Sequence, residues 1–110
     1  MKSDVEEGAI RITQQFRSRD AMVYDLRGEA GRLTLRITGS RGEGEPTTEW
    51  LIEASTSTAA DAVIVSERGA TRAEVLQAVG RSWDRERATN HLPTFDWASV
   101  AKALAAVRAI

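Results

Sequence analysis

The apolar residues of this chain change rhythm once, at Arg68-Gly69-Ala70-Thr71. Before that point they recur at every second position, as in Leu33, Leu35 and Ile37. After it they recur at helical spacing, as in Val75, Leu76, Val79 and Trp83. A period of two buries one face of a strand, and a period near 3.6 buries one stripe of a helix. The order of the two rhythms predicts an α+β fold: a four- to five-stranded antiparallel, meander-like sheet followed by two helices packed on one face.

The strand half divides at its polar clusters. Residues 9–17 alternate well enough for a strand, with Ile10, Ile12 and Phe16 on one parity, although Gln14-Gln15 at the centre also suits a helix. Met22, Tyr24 and Leu26 form the next alternating run, and Gly28 and Gly31 flank a turn. Leu33, Leu35 and Ile37 then alternate with Arg32, Thr34, Arg36 and Thr38. Residues 39–47, with three glycines and a proline, read as a flexible hairpin loop. Trp50, Ile52 and Ala54 share a face beyond it, with Glu49, Leu51 and Glu53 on the other. Setting Ile37 against Thr48 matches Leu35 with Trp50, Leu33 with Ile52, Arg36 with Glu49 and Arg32 with Glu53, so both faces are chemically paired. Asp61 to Ser66 is apolar on both parities, as expected of a strand covered on both sides.

The helical half carries its own punctuation. Thr71-Arg72-Ala73-Glu74 is a capping box ahead of the stripe Val75, Leu76, Val79 and Trp83. Asn90-His91-Leu92-Pro93 stops that helix. Asp96 caps a second one, with Phe95 and Val100 spaced as a hydrophobic staple. The second stripe is Trp97, Val100, Ala101, Leu104 and Val107. The expected core is Leu33, Leu35, Ile37, Trp50, Ile52, Val63, Val65, Val75, Leu76, Val79, Trp83, Trp97, Val100 and Leu104.

At 110 residues with 42% apolar and 28% charged residues, the chain suits a single domain, 1–110, with residues 1–7 expected to fray. The absence of cysteine excludes disulfides, thiolate nucleophiles and Cys-rich zinc sites. No leader or membrane-spanning run is legible, so a cytoplasmic protein without membrane contact is expected. The net charge of −1 gives no global drive toward nucleic acid.

Catalytic and cofactor signals are absent by pattern. His91 is the single histidine, beside Asn90, with no second imidazole or thiolate to complete a metal site. Gly39, Gly42 and Gly44 superficially suggest a phosphate loop, but a strand follows where a P-loop requires Lys-Ser/Thr and a helix. The carboxylate pairs Glu43/Glu45, Glu49/Glu53 and Asp84/Glu86 lie in a loop, beside cross-strand arginines and on a solvated helix face. No enzyme activity, cofactor or metal is therefore expected.

What remains is a surface. Arg11, Thr13, Gln15, Arg17, Arg32, Thr34, Arg36 and Thr38 share the parity that points away from the helices, and form the candidate binding face. Arg supplies 13 of the 15 cations, and its planar fork suits carboxylate or phosphate. Single-stranded nucleic-acid platforms add exposed aromatics, whereas Phe16, Tyr24 and Trp50 fall on the buried parity. The expected function is thus a non-catalytic protein-interaction module, homodimeric through surfaces such as the final helix with its Trp anchor. A nucleic-acid-binding domain using the Arg/Thr face is the alternative, and a small enzyme without a recognisable motif the third.

Overall fold

Each alternating run becomes a strand because one parity can be buried at once against helices that carry matching stripes. The computed structural model describes residues 4–7, 10–41, 44–56 and 62–110, and of residues 4–7 the backbone only. The strands are β1 (Asp4–Glu7), β2 (Ile10–Arg17), β3 (Ala21–Gly28), β4 (Gly31–Ser40), β5 (Glu49–Ser55) and β6 (Val65–Gly69). They form one antiparallel sheet in sequence order. Two helices follow, α1 (Arg72–Asn90) and α2 (Trp97–Ala106). The fold is the expected α+β meander with helices on one face. Asp4–Glu7, read as frayed from the sequence, adds a strand at one edge of the sheet.

The helices divide the sheet between them. α1 packs on β5 and β6, and α2 on β1 and β2. The core between the layers contains Ile12, Leu26 and Leu33 in one cross-strand row, and Tyr24, Leu35, Ala54 and Val65 in the next. Val75, Leu76, Val79, Trp83, Val100 and Leu104 fill it from above. Burying each large aliphatic side chain contributes roughly 1.5–3 kcal/mol. Trp83, Phe95 and Trp97 meet edge to face with centroids 5.8–6.1 Å apart, and the Trp83 indole donates to the Pro93 carbonyl at 2.9 Å. Trp50 and Trp97 are half-buried, and the Arg72 guanidinium lies 4.7 Å from the Trp50 ring centre.

Both helix starts are capped as the sequence indicates. The Thr71 hydroxyl accepts from the Glu74 amide at 3.2 Å. The return bond from the Glu74 carboxylate is not formed among the described residues. Asp96 accepts from the Ala98 amide and the Ser99 hydroxyl. His91 ends α1 in the left-handed region at φ 52° and is exposed.

Three expectations are corrected. The β4–β5 register is four residues away from the expected one: Ile37 faces Ile52, Leu35 faces Ala54, and Arg36 faces Glu53. A slip of four preserves parity, so both faces keep their character and patterning cannot choose between the registers. Packing at the hairpin separates them. Trp50 lies opposite Gly39, where a Cβ would come within 2.9 Å of the indole, so only glycine admits the ring there.

The segment expected to be a doubly covered strand is instead an edge. Asp61 lies outside the described residues, 62–64 have no regular structure, and among the described residues β6 pairs with β5 alone. Val63, expected in the core, is 40% exposed. The third correction concerns Phe16 and reshapes the candidate surface. The glycine-rich loop is described apart from residues 42–43, and the connection after β5 only at Thr56 and from residue 62 onward.

Candidate functional site

The sheet face away from the helices is built from the alternate residues of the same strands. Its rows follow from the register. Arg11, Arg27 and Arg32 occupy one row across β2, β3 and β4, and Glu6 of β1 is in register at its end. Thr13, Asp25, Thr34 and Ser55 form the next. Phe16, Val23, Arg36, Glu53 and Ser66 form the third, and Ala21, Thr38, Leu51 and Arg68 the fourth.

A β-bulge decides who belongs to this face. The β2–β3 register shifts between Gln14 and Phe16, so Gln14 pairs with Tyr24 but Phe16 pairs with Val23. The extra residue reverses parity for the rest of the strand. Phe16, expected on the buried parity, therefore turns outward and is 52% exposed. Arg17, expected on the outer face, moves to the helix side. There it donates to the carbonyls of Val107 and Arg108 and to the Tyr24 hydroxyl. A cation there satisfies the carbonyl of the α2 C-cap, Val107, and of the residue after it. Gln15 is the inserted residue between the two registers. Gln14 interrupts the alternation in the sequence, and that interruption was the one local sign of the bulge.

Of the eight expected face residues, Arg11, Thr13, Arg32, Thr34, Arg36 and Thr38 keep their place. Thr34 is buried, with its hydroxyl unpartnered among the described residues, and so offers no contact surface. The cross-strand ion pairs also differ from expectation. Arg32 Nε donates to Asp25 at 2.6 Å rather than meeting Glu53, and Arg68 donates to Glu49 at 3.1 Å. Arg27 Nε lies 3.6 Å from the other Asp25 oxygen. Arg36 faces Glu53 without an ion pair among the described residues.

Asp25 and Arg27 escaped the sequence reading. Asp25 sits in an alternating strand like any polar outward residue, yet its side chain is 5% exposed under the two guanidiniums, while Arg27 is 66% exposed. Arg27, Gly28, Gly31 and Arg32 line a cleft of about 380 Å³ at the β3–β4 hairpin. A second groove, about 370 Å³, runs between the helices along Leu76, Gly80, Trp97, Ala101 and Ile110.

Among the described residues no three His, Cys, Asp or Glu side chains converge to hold a metal ion, and no helix is long and apolar enough to cross a membrane. The final helix, expected as an interface between copies, buries Val100, Ala103 and Leu104 within its own chain. Set against protein-family models, curated proteins and solved structures, the chain has no significant match in any of the three.

Proposed function

We propose that the chain is a non-catalytic interaction module of the cytoplasm that binds protein surfaces, including a second copy of itself, through the open face of its sheet. One observation carries the reading. Both helices pack on one side of the sheet, and the other side holds Phe16 at 52% exposure beside Val23, with Leu51 in the neighbouring row. An aromatic side chain held outward on a rigid strand is the type of anchor around which interfaces concentrate their binding energy. Polar and charged residues surround it, as at the rim of a protein–protein contact.

Sedimentation velocity across a wide concentration range tests self-association. The expected result is a concentration-dependent dimer that Phe16→Ser abolishes. A monomer at every concentration would remove the dimer from the reading.

A second reading, single-stranded nucleic-acid binding, gains support from the same bulge. It places an exposed aromatic on the face that also carries Arg11, Arg27, Arg32 and Arg36, and bases stack on such rings. Titrating fluorescent single-stranded DNA at several salt concentrations discriminates the two. Binding that weakens steeply with salt, as counterion release requires, would favour this second reading over the first.

A further inference from the structure

Three arginines stand side by side on adjacent strands, and like charges directly opposite one another destabilise a sheet. Arg11 pairs with Arg27 and Arg27 with Arg32. One buried carboxylate, Asp25, offsets part of that repulsion, and it does so in a particular way. Both guanidiniums meet it through Nε, Arg32 at 2.6 Å and Arg27 at 3.6 Å. A guanidinium has five N–H donors in a fixed plane. Engaging the Nε edge leaves the Nη donors of Arg27 and Arg32 without a protein partner among the described residues. Asp25 thus holds the Arg32 fork by a hydrogen bond, attracts the Arg27 fork from 3.6 Å, and leaves the Nη ends of both at the cleft. Gly28 and Gly31 form the rest of its lining through their backbone, since a Cβ at either would point to the helix side, toward Ile10 or Pro93.

We propose that Arg27 and Arg32, positioned by Asp25 and assisted by Arg11, clamp a phosphate group carried by a protein segment. The proposal rests on the reading of the open face as the binding surface, and names what one corner of that face recognises. A phosphomonoester presents three acceptor oxygens and a charge of about −1.5 to −2 at neutral pH. Arg11, Arg27 and Arg32 against Asp25 and Glu6 leave this corner one net positive charge, with Arg27 and Arg32 at its centre. Arg forks bind such oxygens in bidentate pairs, which a point-charge ammonium does not reproduce. Arg27 and Arg32 line one open depression at the hairpin, and the chain carries a net charge of −1. Both features favour a single dianionic group over the repeated phosphodiesters of a nucleic acid. Phe16 and Val23, two rows away on the same face, are placed to receive an apolar residue of the same segment.

The test is a titration of the full chain, followed by backbone and arginine Nε resonances. The probes are a short peptide carrying one phosphoserine, its unphosphorylated twin, inorganic phosphate and an oligothymidylate. Saturable shifts at Arg27, Gly28, Gly31 and Arg32 with the phosphopeptide, absent with its twin, are expected. Inorganic phosphate should shift the same resonances more weakly. Arg32→Gln and Arg27→Gln should each weaken the phosphopeptide by about tenfold or more, the scale of losing charged hydrogen bonds. Arg27→Lys keeps the charge and should still weaken it, which a purely electrostatic patch would not predict. Unchanged amide spectra elsewhere in each variant establish that the fold is intact. No shifts with the phosphopeptide would overturn the clamp while leaving the open-face reading to its own Phe16→Ser test. Shifts centred outside the cleft, or tighter binding of the oligothymidylate than of the phosphopeptide, would overturn it as well.

Discussion

The two faces of this sheet are made from alternate residues of the same strands, yet they obey different rules. On the helix side the middle of each row is apolar: Ile12, Leu26 and Leu33, then Tyr24, Leu35 and Ala54, then Met22, Ile37 and Ile52, with Gln14, Arg17 and Glu67 at row ends. On the open side the rows differ: three arginines set against one another, then Asp25 among hydroxyls, then two rows that mix charge, hydroxyl and hydrocarbon. The helix side is constrained by packing, where a missing methylene leaves a void. The open side is constrained mainly by pairing, where water fills what side chains leave. The fold therefore depends on the first face, and the second is free to carry recognition. Substitutions on the two faces should separate accordingly.

The largest effect should come from the fully buried indole at the junction of both helices and the sheet. Trp83→Ala removes an aromatic that contacts Phe95 and Trp97 and a hydrogen bond to Pro93. It should cost about 3–5 kcal/mol in denaturant unfolding, and Leu104→Ala about 2–5 kcal/mol. Losses under about 0.5 kcal/mol, the usual range at surface sites, would show that the packed face has been misassigned.

Gly80→Ala comes next and tests packing against propensity. Alanine gains roughly 1 kcal/mol of helix propensity over glycine. The new Cβ would meet Trp97 Cγ at 2.9 Å, however, and overpacking of a tight contact costs about 1–3 kcal/mol. A lower Tm is expected. A raised Tm would mean that the α1–α2 contact yields easily, and the core is less rigid than its packing implies. Thr71→Ala should follow at roughly 1 kcal/mol, the worth of an N-cap, read from the same unfolding curves.

Asp25→Asn is the exception that sharpens the contrast, because it lies on the open side but is buried. Hydrogen bonds to charged groups contribute about 1.5–3 kcal/mol. Arg32 and Arg27 are partly in water, which screens the pair. A loss of about 1 kcal/mol is therefore expected, above that of its exposed neighbours. A neutral result would show that the carboxylate contributes nothing to the fold.

The sequence made parity legible because parity is local. Leu33, Leu35 and Ile37 declare their face without reference to any partner. Register is not local. Any even slip of β5 past β4 leaves hydrophobic opposite hydrophobic, so the choice fell to the space above Gly39 that admits Trp50. The bulge was hidden for a related reason: one inserted residue at Gln14–Phe16 leaves composition and alternation almost unchanged, while it exchanges Phe16 with Arg17 between the faces. Helix starts were legible because Thr71 and Asp96 each bond within three residues. The candidate surface was thus readable as a face, but its aromatic and its arginine pair depended on pairings that patterning does not encode.

The smallest effect on stability should be at Phe16. In a core a phenylalanine would cost about 3–5 kcal/mol on truncation. Here roughly half of the side chain's surface is already in water, and its row-mate Val23 is half-buried. Phe16→Ser should therefore shift stability by no more than about 0.5–1 kcal/mol, through lost cross-strand contact with Val23. A loss of several kcal/mol would mean that the ring belongs to the packed side and that the bulge does not form. Near-neutral stability together with lost self-association would instead give Phe16 a role that the fold does not require. Of the two faces, only the open one should allow stability and binding to be separated by a single side chain.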